Sequence, residues 1–188
     1  MWQGLLSEAR EYAQKALAAR EALKDAAGAA DALVVLSRIE RADNQCAAAA
    51  THVRRARGLA GLDGNSELLA RAALIDALVC LGDLTAADTE AHPAAAGSSR
   101  GSIELMLAQA RLRAAQQRAA EVTRLMDQLV DAVSSVRSQL LHLVVRVVAL
   151  ETGARTKSAA ELADLRREVA TAGTGLLLIR LDRLAAGG

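Results

Sequence analysis

The feature that most constrains the fold is a triplet of small residues that recurs at a nearly fixed interval. Within each triplet the members are separated by four and then three residues, which places them on one face of a helix. The triplets begin at Ala9, Ala49 and Ala87, so the intervals are 40 and 38 residues. A period of this length is typical of arrays built from pairs of helices.

Residues 67–96 show the repeating unit most clearly, as two helices joined by a tight turn. Gly82 is expected to end the first helix, because glycine adopts the left-handed conformation at little cost. Thr85 is expected to cap the second helix, with Asp88 as its capping-box partner. Pro93 is expected to end or kink that helix, and residues 97–102 are expected to form a loop.

The rest of the chain also shows helical spacing of apolar residues, broken by short polar turns. Outside the central unit the predicted helices are 5–26, 31–42, 45–59, 103–115, 117–134, 137–151, 158–172 and 176–184. Ser158 and Glu161 form a second expected capping box. The last of these helices could seal the open end of an array.

Composition agrees with close packing of helices rather than sheets. Hydrophobic residues make up 52% of the 188, yet Phe is absent and Trp and Tyr occur once each, so Ala and Leu must form the core. The sequence therefore predicts an all-α, single-domain chain, 1–188, folded as an α-solenoid of about four antiparallel helix hairpins. The repeats are clear over 5–96 and degenerate over 97–188, and a plain antiparallel bundle is the alternative.

These second helices, with Ala, a small residue and Ala at fixed spacing, resemble the tetratricopeptide repeats (TPR). Leu74 and Leu78 followed by Gly82-Asp83 are similar to that family, as is Leu36-Ser37 on an earlier first helix. The stretch ALxxRExLKDxxG at 16–28 resembles the variant that closes large bacterial signalling proteins. These include LuxR-type regulators and receptor serine/threonine kinases.

The resemblance implies a TPR-like superhelix without chemistry of its own, acting as a scaffold that binds a protein or peptide partner in its concave groove. A regulatory or sensor role in bacterial signalling is the expected context. Two alternatives remain open. One is an oligomerisation module in which the apolar helices 137–151 and 176–184 pair with a second copy as a homodimer. The other is a regulatory domain excised from a larger kinase or nucleotide-binding regulator.

Charge and cysteine content narrow the expected partners and location. A net charge of +1 gives no field that would favour nucleic acid or an anionic membrane. Cys46 and Cys80 lie within apolar helical patterns, which predicts buried free thiols in a reduced compartment. With no visible signal peptide, a cytoplasmic location is expected.

No pattern of catalytic or metal-binding residues is visible. His52, His92 and His142 are forty to fifty residues apart, without HExxH, CxxC or a mixed cluster. We therefore expect no enzyme activity, cofactor or metal. What remains is the face of each first helix opposite its apolar stripe. The residues expected to line the concave groove are Asp31, Val34, Arg38, Arg41, Leu69, Asp76, Gln109 and Arg113.

Overall fold

The computed structural model describes residues 2–59, 62–91, 98–134, 136, 138–154 and 158–186. These residues form ten α-helices and no strand, as the sequence predicts. The helices are α1 (Trp2–Ala22), α2 (Ala26–Ala42), α3 (Cys46–Arg57), α4 (Gly64–Leu81), α5 (Leu84–Glu90), α6 (Arg100–Ala115), α7 (Ala119–Ser134), α8 (Gln139–Glu151), α9 (Ala159–Thr171) and α10 (Gly175–Ala185).

The first predicted boundary is wrong by several residues. Helix α1 ends at Ala22 rather than near residue 26, and α2 begins at Ala26 rather than Asp31. Lys24 has φ 54°, a left-handed conformation that ends α1. Asp25 then caps α2, since its carboxylate accepts a hydrogen bond of 2.9 Å from the backbone N–H of Gly28.

Helix α6 also begins earlier than expected, because the predicted loop 97–102 is helical from Arg100 onward. Ser99 caps the helix by accepting a 3.1 Å hydrogen bond from the backbone N–H of Ser102. Gly101 permits a close approach to α4, since an added Cβ would lie 2.8 Å from the carbonyl oxygen of Asn65 and from Cβ of Leu68. The glycine that suggested a loop therefore lies where two helices make close contact.

The caps around α5 are partly as predicted. Gly82 ends α4 with φ 78°, which confirms the left-handed stop. The cap of α5 is Asp83 rather than Thr85, because the Asp83 carboxylate accepts from the backbone N–H of Ala86 at 3.1 Å. Ser158 caps α9, as expected, by accepting from the N–H of Glu161 at 3.1 Å. The expected break at Pro93 lies outside the described residues.

Packing follows two patterns along the chain. Each helix contacts the next one in sequence, and each even-numbered helix also contacts the next even-numbered helix. The set α2, α4, α6, α8 and α10 therefore forms an inner row, with the odd-numbered helices beside it. Several hydrophobic clusters join neighbouring helices in place of one central core.

The last helix closes this row. Helix α10 contacts α8 and α9, as chain order requires, but it also contacts α2. Ile179 joins the hydrophobic cluster formed by α1, α2 and α3, and Leu176 packs beside it. Arg183 donates a hydrogen bond to the carbonyl oxygen of Ala42, at the end of α2. The last helix thus packs against an early one and does not only cover the end of the chain.

The expectation of free thiols is wrong. Cys46 and Cys80 form a disulfide that joins the start of α3 to the end of α4. Their Cα atoms are 5.6 Å apart, a usual separation for this bond. Helical period places each cysteine within the apolar pattern of its own helix, and it carries no information about which helix faces meet.

The hydrophobic residues of helix α8 pack against neighbouring helices of the same chain. Leu143, Val147 and Leu150 are buried in a cluster with residues of α9 and α10. The opposite side of α8 contributes Val145 and Val148 to the cluster with α6 and α7. Among the described residues, no helix is long and apolar enough to cross a membrane.

A substitution at Ala49 tests the close packing of the repeated alanines. Ala49 is completely buried and clusters with Ala50 and with Ala77 of α4. Ala49→Leu should lower the free energy of unfolding by about 1–3 kcal/mol, because a larger side chain overpacks the contact. Urea unfolding followed by circular dichroism measures this change.

The matched control is Ala47→Leu, which makes the same change at an exposed position of the same helix. Its urea midpoint should stay close to that of the parent chain. Equal midpoints for the two variants would contradict the packing of α3 against α4 at Ala49.

Candidate binding cavity

The five inner helices surround a cavity of about 530 Å³. Its wall is formed by α2, α4, α6, α8 and α10, together with the residues that cap α8 and α10. This volume lies in the range of about 300–1,000 Å³ that proteins use for small ligands. The contact of α10 with α2 brings the first and the last of these five helices together beside the cavity.

Positive charge dominates the wall of this cavity. Six arginines line it: Arg38, Arg41, Arg100, Arg111, Arg180 and Arg183. Asp76 and Glu104 are the carboxylates among the lining residues. A third carboxylate, that of Glu151 on α8, is bonded to two of the arginines, Arg111 and Arg180. Six guanidiniums against three carboxylates leave an excess of three positive charges.

Part of this charge is held in a chain of short ion pairs. Nη1 of Arg111 lies 2.8 and 2.6 Å from the two carboxylate oxygens of Asp76. Its Nε lies 3.4 Å from Glu151, whose carboxylate also accepts from Nε and Nη2 of Arg180 at 2.6 and 2.5 Å. The side chain of Arg111 is only 11% exposed. The chain connects α4, α6, α8 and α10 through charge-assisted hydrogen bonds.

The two carboxylates of this chain are strongly stabilised in their charged form. Burial alone would raise the pKa of Asp76, but Arg111 and Arg41 outweigh it and hold that pKa at about 2. Burial opposes ionisation of Glu151 as well, and Arg180 and Arg111 bring its pKa to about 2. Both groups are therefore anions at neutral pH.

Arg41 is the exception in this network. It lies 3.5 Å from Asp76, an ion pair without a hydrogen bond, and its side chain hydrogen-bonds to no described residue. Burial lowers its pKa to about 10, and repulsion from Arg111 and Arg180 acts in the same direction, against the attraction of Asp76. A quarter of the side chain remains accessible, which we attribute to its exposure to the cavity. Arg41 is a partly buried cation whose N–H donors are available to a ligand.

Three other arginines also have free or weakly used donors. Arg38 lies 3.3 Å from Glu104 without a hydrogen bond. Arg183 donates to the carbonyl of Ala42 and not to a carboxylate. Arg100 forms no ion pair with any described residue. These side chains, with Arg41, belong to α2, α6 and α10, so they reach the cavity from three different helices.

The other part of the wall is apolar. It consists of Leu140, Leu141 and Val144 on α8 with Leu176 and Leu177 on α10. Leu140 is 46% exposed. A ligand with an apolar body and an anionic group would match both parts of the wall.

The structure brings three of the eight groove residues predicted from the sequence to this cavity, namely Arg38, Arg41 and Asp76. Val34 and Leu69 are buried instead. Gln109 is also buried and donates to the carbonyl oxygen of Ala91 at 2.7 Å. The other two residues do not line the cavity. Asp31 is exposed, and Arg113 pairs with Asp88 and Glu121 on neighbouring helices.

Sequence reasoning missed the remaining charged residues of the wall. One signal was available on α6, where Glu104 and Arg111 are seven residues apart and therefore share a helical face. Arg180 was a second signal of a buried charged site, because it is a charged residue within the apolar stretch 176–184. Neither signal shows that α6 and α10 face the same space as α2.

The described residues contain no group of three or more His, Cys, Asp or Glu side chains arranged to hold a metal ion. The charged groups that cluster instead are arginines and carboxylates, several of them bonded to each other. Comparison of the chain with known protein families, with curated proteins and with solved structures gave no match in any of the three.

Asp76→Asn tests the buried ion pairs. The change leaves Arg111 and Arg41 buried with one neighbouring carboxylate fewer, which should lower the free energy of unfolding by about 3–5 kcal/mol. Urea unfolding at pH 7 measures the loss. Asp31→Asn is the matched control, because Asp31 is exposed on α2, and its midpoint should not change. A small effect of Asp76→Asn would contradict the network.

The same network predicts how stability depends on pH. The pKa values of Asp76 and Glu151 fall from the usual 3.8 and 4.5 to about 2 on folding. The folded state therefore gains stability that is complete above about pH 5 and is lost as pH falls towards 2. Urea midpoints measured from pH 7 to 2.5 should decrease in that window, and less steeply in Asp76→Asn. Parallel curves for the two proteins would argue against this assignment.

Proposed function

We propose that the chain is a non-enzymatic binding module that recognises a protein or peptide partner through an anionic group placed in the cavity. The observation that carries this proposal is the excess of arginine over carboxylate on the cavity wall. Guanidiniums bind carboxylates and phosphates through paired N–H donors. A partner with such a group would supply the negative charge that the protein's own side chains do not.

The TPR-like superhelix expected from the sequence is the arrangement in which we place this site. In that arrangement the first helix of each hairpin lines the concave face, and α2, α4, α6 and α8 have that position in the predicted hairpins. Helix α10 then acts as one more inner helix and meets α2. The partner's group would be held within a ring of helices and not along an open groove.

The biological setting follows from the family resemblance alone. A regulatory or sensor role in bacterial signalling, in this chain or as a domain of a larger regulator, remains a proposal. A cytoplasmic location has the least support, because stable disulfides are rare in reducing compartments and Cys46 is bonded to Cys80.

The alternative of an oligomerisation module is less favoured. It requires apolar residues of 137–151 and 176–184 to be available to a second copy. Most of these side chains are buried within the chain, among them Leu143, Leu150 and Leu181. The binding module needs no such surface, since its site is the cavity.

Paired peptide arrays test the proposed function. One array carries random octapeptides with Glu fixed at one position, and the other carries Gln at the same position. The protein should bind the Glu array more strongly. The double variant Arg38→Gln, Arg41→Gln should reduce this difference about tenfold or more, since a hydrogen bond to a charged group contributes about 1.5–3 kcal/mol.

The control for this experiment is Arg54→Gln, which removes one exposed arginine on α3 away from the cavity. It should keep the preference of the parent chain for the Glu array. If the parent shows no preference for acidic peptides, or if the double variant keeps it, the proposed site is wrong.

A further inference from the structure

The charge on the cavity wall distinguishes singly from doubly charged ligands. The excess of three positive charges, from six arginines and three carboxylates, is more than one ligand carboxylate would neutralise. A phosphate monoester carries a charge of about −1.5 to −2 at pH 7. All basic residues among the described lining residues are arginines, the side chain best suited to paired hydrogen bonds with phosphate oxygens.

The available donors also suit a group with three terminal oxygens. Arg111 and Arg180 are occupied by the short bonds to Asp76 and Glu151. Arg41 and Arg38 have only long ion pairs, at 3.5 and 3.3 Å, without hydrogen bonds. They lie one turn apart on α2, so both guanidiniums can reach one anion in the cavity. Arg183 and Arg100 add donors from α10 and α6.

The apolar part of the wall indicates what carries the phosphate. Leu140, Val144 and Leu176 face the same cavity as the arginines. Inorganic phosphate would leave this surface in contact with water, whereas an organic body would cover it. With about 530 Å³ available, that body has the size of a side chain or a small organic group.

We propose that the anionic group recognised by this cavity is a phosphate monoester carried on an apolar body. The inference rests on the proposed function, because it specifies the chemistry of the group that enters the same site. Two sources supply such a group: a phosphorylated side chain of a partner protein, or a small organic phosphate ester.

Calorimetric titration with three ligands that share one ring tests the proposal: phenyl phosphate, phenyl sulfate and benzoate. Phenyl phosphate should bind at least tenfold more tightly than the other two at pH 7.5, because it alone is a dianion. Binding of phenyl sulfate or benzoate as tight as that of phenyl phosphate would overturn the phosphate assignment. It would leave the anion-binding module itself intact, whereas no binding of any of the three would count against both.

The pH dependence gives a second, independent result. The second pKa of a phosphate monoester is about 6, so most of it becomes a monoanion by pH 5. Among the described residues, the charged side chains that line the cavity are the six arginines with Asp76 and Glu104, and none of them is a histidine. Glu151 is bonded to two of these arginines, Arg111 and Arg180. Affinity for phenyl phosphate should therefore fall about tenfold between pH 7.5 and 5, while that for phenyl sulfate stays constant. An equal response of both ligands would overturn the proposal.

Variants of single arginines locate the binding. Arg41→Gln should weaken phenyl phosphate binding at least tenfold, and Arg54→Gln on the exposed face of α3 should leave it unchanged. Arg38→Gln is the second test, because Arg38 pairs with Glu104 and not with Asp76, so its loss disturbs the ion pairs of Arg111 less. Unchanged affinity in both cavity variants would overturn the site.

A further titration, with a peptide ligand, identifies the source of the phosphate ester. An octapeptide with one phosphotyrosine carries the same phenyl phosphate group within a polypeptide. Tighter binding of the peptide than of phenyl phosphate supports a phosphorylated partner, and equal or weaker binding supports a small ester. Binding of the unphosphorylated octapeptide as tight as that of the phosphorylated one would contradict recognition of phosphate from either source.

Discussion

A chain of buried ion pairs through Arg111 links four of the five inner helices. Arg111 on α6 joins Asp76 of α4 to Glu151 of α8, and Arg180 of α10 completes the bonds to Glu151. Removing these groups from water is costly, and the cost is offset only when every partner is in position. Helices that are far apart in sequence are therefore coupled through one set of contacts, and those contacts also form the wall of the cavity.

The local structure was largely predictable, because helical period and caps depend on neighbouring residues. Gly82 as a left-handed stop and Ser158 as a cap were read correctly from sequence. The errors occurred where a residue has a second role. Gly101 suggested a loop, yet it lies inside α6 because α4 approaches it closely. The residues that suggest a turn do not by themselves show what packs against them.

The cavity was only partly predictable for the same physical reason. Arg38, Arg41 and Asp76 were identified from the polar faces of single helices. Arg180 was missed because its role depends on α10 packing against α8, where it meets Glu151, a residue 29 positions earlier in the chain. The disulfide was missed in the same way, since its cysteines are 34 residues apart and on different helices. Contacts between helices far apart in sequence, such as that of α10 with α2, depend on the sum of many interactions, and no short motif encodes them.

The closure of α10 onto α2 brings the arginines of the first and last inner helices to one cavity, and without it they would face an open groove. Pulsed electron resonance between spin labels at Gln45 and Ala185, both exposed, measures it directly. These sites flank the bond between Arg183 and the carbonyl of Ala42. The closed arrangement predicts one short, narrow distance distribution in the free protein. A long or broad distribution would contradict this closure and show that the helices form an open array.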